Sequence, residues 1–244
     1  MRITCRNLLT KYSFLSFLLI LSSLAISSNQ QPLVFAAPTD HPLIPVGERI
    51  LQSAYSPLNV TIQVRQLPPM RALSMSNQGE LDGSLGRVKG IDQTYKNLLM
   101  IPIPLCYIEF MAFSYRSVKI PNGWQDVKPY HIGILKGGLY IENKTHQYNK
   151  ELFNTPLQLL RVVSQSRIEL GILGKVEALK ALKQLDNSNI KIVNPTLDQV
   201  AIYHYLHKKH AKLKPFITKS LLTMQKNGTL KKTYDQFINS LMSQ

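Results

Sequence analysis

Short apolar strands alternate with amphipathic helices from residue 33 onward, and that alternation leaves few architectures open. Residues 33–37 form an apolar run stopped by Pro38, read as a first strand, and residues 39–42 form a loop. Pro45 opens a helix in which Val46, Ile50, Leu51, Ala54 and Tyr55 recur with a 3.6-residue period. Val60, Ile62 and Val64 then alternate with Thr61, Gln63 and Arg65, the pattern of a half-buried strand. Pro69 opens a second helix with Met70 and Leu73 inward, and Gly79 closes it. Residues 81–85 read as a strand, and residues 107–115 as a longer, aromatic one. A β-α-β-α-β series predicts a mostly parallel sheet flanked by helices.

A second unit repeats the plan. Residues 130–135 are expected as a strand, which Lys136-Gly137-Gly138 turns into a helix. Thr155 caps a helix with Pro156 in its first position and Leu157, Leu160 and Val163 on one face. Strands are expected at 168–173, 190–193 and 201–207, a helix through Val176, Leu179 and Leu182, and two closing helices separated by Gly228. Gly79-Glu80-Leu81-Asp82-Gly83 and Ser166-Arg167-Ile168-Glu169-Leu170 each follow a helix and open a strand with an acid. Two units built on one plan would produce that echo.

The N-terminus has the layout of a secretory leader. Arg2, Arg6 and Lys11 form a basic region, residues 14–26 are apolar apart from Ser, and small residues at 23, 25 and 27 fit a cleavage site. The apolar run is too short to span a bilayer, which takes about 20 residues. Residues 1–27 are therefore read as a signal peptide and the mature protein as exported. Cys5 leaves with that leader, so Cys106 stands alone, a small core residue between Leu105 and Tyr107. The formal charge of +15 makes an anionic partner plausible. The lysines are scattered, however, without the aromatic-interleaved patch of a nucleic-acid binder, so no nucleic acid is expected.

Taken in order, Pro69-Met70-Arg71-Ala72-Leu73, the Gly79–Gly83 segment, Gly123-Trp124-Gln125-Asp126-Val127, His131-Ile132-Gly133-Ile134-Leu135-Lys136-Gly137-Gly138, Arg167-Ile168-Glu169 and Met224-Gln225-Lys226-Asn227-Gly228-Thr229-Leu230 resemble the family 3 extracellular solute-binding proteins of bacterial ABC-type uptake systems. The resemblance implies an α/β, two-lobed fold of the periplasmic-binding-protein type II kind. Each lobe would be a mixed, mostly parallel sheet with helices, and two crossover strands would form the hinge. Residues 28–114 plus 195–244 would form the first lobe and 115–194 the second. It also implies a monomer that binds a small molecule in the interlobe cleft, with no cofactor, no metal and no catalysis, and a separate membrane permease or receptor as partner. Two alternatives keep the fold: a ligand-sensing subunit for a membrane receptor, and a dehydratase-like periplasmic enzyme.

The family's amino-acid binders hold the ligand carboxylate with an Arg and its ammonium with an Asp. Thr94 and Gly174 stand at those positions here. Arg87 or Arg71 could supply the missing guanidinium, which grips a carboxylate or phosphate with two N–H groups. Arg87 could equally be a surface residue paired with Glu80 or Asp92. Gly137 and Gly138 offer turn N–H groups to an anion, Tyr107 and Tyr140 are cleft-edge candidates, and Asp40, His41 and Met70 fall in loops or helix starts on the cleft side. These nine residues are the expected ligand set, for an anionic or neutral polar solute. His204, His207 and His210 are read as a solvated strand end, not a metal site. Trp124 is read as packing in the second lobe.

Overall fold

The computed structural model describes residues 31–120, 122–185 and 189–243. The expected leader lies outside the described residues. Eight strands form one sheet in the order β2-β1-β3-β8-β4-β7-β5-β6. They are β1 (Leu33–Pro38), β2 (Ile62–Leu67), β3 (Gly83–Val88), β4 (Leu98–Ser114), β5 (Ile132–Leu135), β6 (Lys150–Phe153), β7 (Leu170–Gly174) and β8 (Lys191–His207). The helices are α1 (Ile44–Tyr55), α2 (Pro69–Gln78), α3 (Trp124–Val127), α4 (Leu139–Lys144), α5 (Pro156–Ser164), α6 (Lys175–Leu182), α7 (Lys214–Lys226) and α8 (Thr229–Ser243).

Parallel pairing is confined to the two ends of the sheet: β1 with β2 and β3, and β5 with β6 and β7. The four central strands pair antiparallel. β4 and β8 are each 17 residues long and run through both lobes as the crossovers. Leu98 of β4 pairs with His207 at one end, and Phe113 pairs with both Gly171 and Ile192 at the other.

These two strands are longer than the sequence pattern predicts. The strand expected at 107–115 starts at Leu98, and those expected at 190–193 and 201–207 are the two ends of β8. Prolines mask the continuity. Pro104 sits where the β4–β8 register shifts on both sides, so its missing N–H interrupts the ladder without ending the strand. No strand was expected at 150–153, where polar Lys150 and Glu151 precede Leu152 and Phe153 on a four-residue edge.

The internal echo is structural. Asp82 Oδ2 accepts the Val34 N–H at 2.7 Å, and the Asp82 N–H donates to the Val34 carbonyl at 2.8 Å. In the second lobe Glu169 Oε2 accepts the His131 N–H at 2.9 Å, and the Glu169 N–H donates to the His131 carbonyl at 3.1 Å. In each lobe an acid before one strand clasps the start of its parallel neighbour.

Separate cores fill the lobes. Phe35, Ile50, Leu51, Tyr55, Leu206 and Leu221 pack between the first-lobe sheet and helices α1 and α7. Ile132, Ile172, Phe113 and Leu159 belong to two clusters of the second lobe, one of which takes in part of Trp124. Cys106 is buried in the first-lobe core, and burial pushes its thiol up to about 12.

The expected solvated end at His204 is corrected: that ring is fully buried. Its Nδ1 lies 2.8 Å from the Ser84 carbonyl, which can only accept, so Nδ1 carries the hydrogen. Nε2 then accepts from the Tyr55 hydroxyl at 2.9 Å, and Phe35 meets the ring edge-on at 4.7 Å. Burial pushes His204 down to about 4, so the ring is neutral. His207 is buried too, and His210 Nε2 lies 2.6 Å from Asp82 Oδ1. Among the described residues no group of three or more His, Cys, Asp or Glu is arranged to hold a metal, and no helix is long and apolar enough to cross a membrane.

Candidate functional site

The loop after β1 and the start of α6 after β7 meet where the two lobes touch. His41 comes from the first and Glu177 from the second, with His41 Nε2 3.7 Å from Glu177 Oε1. The Leu43 N–H donates to His41 Nδ1 at 3.3 Å, which leaves that nitrogen bare and puts the neutral ring's hydrogen on Nε2, facing Glu177. Burial, helped by the positive Arg87, pushes His41 down to about 4. Burial pushes Glu177 the other way, up to about 7, although the Gly174 N–H, 3.3 Å from Oε2, favours the carboxylate. Beside the pair, Lys175 Nζ bonds Glu109 Oε2 of β4 at 2.9 Å. Val176 packs into the first-lobe core, and Tyr234 of α8 lines a small pocket together with His41, Glu109 and Glu177.

Glu177 was missed by sequence reasoning, which found only that Gly174 lacks an acid. The signal was present three residues on: an acid at the third position of a helix that follows a strand end folds back to accept the N-cap N–H. A Cβ at position 174 would stand 3.1 Å from Glu177 Oε2, so glycine there leaves room for the returning carboxylate.

Arg87 lies on β3 opposite Tyr203 of β8. Nη2 reaches the Pro69 carbonyl at 3.5 Å, the limit of a hydrogen bond, and the buried Nε has no partner. Among the described residues no carboxylate pairs with it, so the reading as a surface Arg tied to Glu80 or Asp92 does not hold. Burial lowers Arg87 to about 10, with Tyr95 opposing the shift, and the guanidinium stays charged at neutral pH.

The other expected residues are placed variously. Met70, beside Pro69 at the start of α2, is 57% exposed, and Arg71 is exposed on the same helix. Tyr107 is 43% exposed on β4, opposite Ala201. Asp40 is exposed with φ 57°, and its N–H donates to Gln66 Oε1 at 2.9 Å. Gly137 has φ 84°, and its N–H is already on the Glu142 carboxylate at 2.6 Å; Gly138 precedes a helix of only six residues. Tyr140 stacks on Phe110 at 5.7 Å and donates to Asp198 Oδ2 at 2.5 Å. Trp124 Nε1 donates to the same oxygen at 3.2 Å, and Lys144 Nζ lies 3.6 Å away. Burial would raise Asp198, but these partners hold its carboxyl below the usual range. Arg87 thus acts on His41 electrostatically and reaches the carbonyl of Pro69, the residue before Met70. The fold ties Tyr140 to the hinge strand instead, and leaves Asp40 and Arg71 at the surface.

No family model matches the chain. An uncharacterised protein of Shewanella oneidensis is 24% identical over 199 residues, covering 78% of this chain and 75% of that one. Among solved structures, the GluR0 ligand-binding core in complex with L-glutamate matches 86% of this chain and 99% of its own, with TM-score 0.71 and 10% identity. A histidine kinase sensor domain with similarity to periplasmic binding proteins matches 85% and 96%, with TM-score 0.67 and 13% identity. The amino acid ABC transporter substrate-binding protein AbpA of Streptococcus pneumoniae, bound to L-arginine, matches 86% and 95%, with TM-score 0.65 and 12% identity. The chain therefore has the two-lobed fold of the periplasmic binding proteins.

Proposed function

We propose that this chain is an exported solute-binding protein of the extracellular family 3 kind, which holds a small anionic or neutral polar solute between its lobes and presents it to a separate membrane permease. The lobes are 28–114 plus 195–244 and 115–194; the ligand leaves unchanged, and the protein acts as a periplasmic monomer. The observation that carries the reading is Arg87: a charged, largely desolvated guanidinium beside the interlobe seam, without a carboxylate partner among the described residues. The named neighbours bind L-glutamate and L-arginine. Here Thr94 stands where the resemblance puts the carboxylate anchor. Glu177, half-protonated near pH 7, is a weak counter-ion for an ammonium group. Both features favour an anion or a neutral solute over a zwitterion.

The likeness to a histidine kinase sensor domain favours one second reading, that the filled cleft signals to a membrane receptor. Calorimetry against acetate, succinate, inorganic phosphate, glucose, glutamate and arginine tests the binding reading common to both. Binding of acetate, succinate, phosphate or glucose supports it, and preferential binding of glutamate or arginine refutes the ligand class. Co-purification of a permease or of a kinase with the tagged protein then separates the two readings.

A further inference from the structure

Resting on the proposed solute-binding reading, the geometry points to a narrower ligand class: we propose that the site takes a hydrophobic monocarboxylate, its carboxylate on Arg87 and its apolar body against Met70 and Tyr107.

Cross-strand partners in a sheet project from the same face. Arg87 pairs with Tyr203 and Tyr107 pairs with Ala201, and positions 201 and 203 are two apart on β8. Arg87 and Tyr107 therefore rise from one face, two strands apart. Their Cα atoms are on the order of 12 Å apart, from a strand spacing of ~4.8 Å and a rise of ~3.3 Å per residue. Standing off the sheet side by side, the two side chains flank a strip of its surface across which an apolar body can lie. Met70, 57% exposed, follows Pro69, whose carbonyl is the acceptor of Arg87 Nη2, and so offers an apolar surface next to the guanidinium.

The polarity of this bay is lopsided. The guanidinium is the charged group left without an opposite partner, its Nε buried and unpaired, whereas Glu109, two residues from Tyr107, is neutralised by Lys175. Tyr203 opposite Arg87 belongs to an apolar cluster with Tyr95 and Leu98, half-buried under α2. Met70 and Tyr107 are two of the few large apolar side chains left exposed. A dicarboxylate or phosphate would bring a second charge against these surfaces, and its desolvation would go uncompensated. One carboxylate with an aliphatic or aryl body satisfies the Nε–Nη2 edge of the fork and covers Met70 and Tyr107.

The test is calorimetry of the mature chain with benzoate, phenylacetate and octanoate against acetate, succinate and inorganic phosphate, on the native protein and on Arg87→Ala, Met70→Ser and Tyr107→Ser. The last two positions are exposed, so those variants fold, and circular dichroism checks Arg87→Ala. A hydrophobic acid should bind at least tenfold tighter than acetate or succinate. Arg87→Ala should abolish that binding. Met70→Ser and Tyr107→Ser should each weaken it at least threefold while leaving acetate unchanged. Tighter binding of succinate or phosphate, or unaltered affinity in both Ser variants, overturns the ligand class and leaves the anion-binding reading standing. Binding of glucose alone overturns the inference and the Arg87 anchor, but not solute binding. No binding to any probe overturns both.

Discussion

Glu177→Gln tests the interlobe seam directly. The free carboxyl titrates near 4.5, and burial in the seam raises it to about 7. Between those values the unfolded chain has lost the proton and the folded chain keeps it, so native stability falls as pH rises through that window and levels above it. A displacement of this size corresponds to about 3 kcal/mol at most. One fifth of the side chain reaches solvent, which trims the expectation to roughly 2 kcal/mol. Gln keeps the shape and one acceptor oxygen, for the Gly174 N–H, and it does not titrate; its NH2 facing the His41 Nε2–H adds a pH-independent offset that cancels in a comparison across pH. Urea unfolding of both proteins at pH 5, 6, 7 and 8 should show the variant gaining on the native chain by roughly 2 kcal/mol across the series, with unchanged denaturant slopes. Parallel pH profiles would show that Glu177 ionises freely in the folded protein and would remove the desolvated seam from the account.

Tyr55→Phe leaves His204 Nε2 buried without its donor and should cost about 1–3 kcal/mol in chemical denaturation. Gly83 has φ 150°, and a Cβ there would stand 2.1 Å from the Tyr205 carbonyl, so Gly83→Ala should cost at least about 3 kcal/mol or prevent folding. Gly137, at φ 84° with nothing within 4 Å of its would-be Cβ, should lose only about 1 kcal/mol on the same change, and thermal unfolding separates the two. Mass spectrometry of exported material should find a chain beginning near Ile26 or Ser28, and an intact Met1 on a membrane-bound product would contradict the leader. Small-angle scattering with a confirmed ligand should give a smaller radius of gyration than without it.

Periodicity carried most of the fold. The first helix face through Val46, Ile50, Leu51, Ala54 and Tyr55 is the buried face of α1, because each of those spacings is a local property of one element. What stayed hidden depends on distant partners. His204 reads as polar at a basic strand end, yet two partners far along the chain, Tyr55 and Ser84, make its burial tolerable. Pro102, Pro104 and Pro195 are local stop signals that lost to the long-range ladder of β4 and β8. In the site, Arg87 could be picked out because it follows the strand expected at 81–85, although it lies within β3, and its lack of a carboxylate partner could not be read from spacing. Glu177 was obscured because its carboxylate acts three residues away from where its Cα lies.

The β4–β8 ribbon has a mechanical consequence. From Cys106 to Phe110 it holds five unbroken rungs, paired with Ile202 to Asp198, while its register slips on both sides, between Pro104 and Cys106 and again between Phe110 and Ala112. A hydrogen-bonded stretch resists shear, and a slipped register bends and twists easily. The ribbon is thus a stiff plate between two flexures, and closing the lobes would rotate each about its own joint. Tyr107, on the plate, would hold its position while Arg87 and Glu177 swing toward it from opposite sides. A ligand resting on that tyrosine would see the same floor in the open and the closed protein, and only the walls would move.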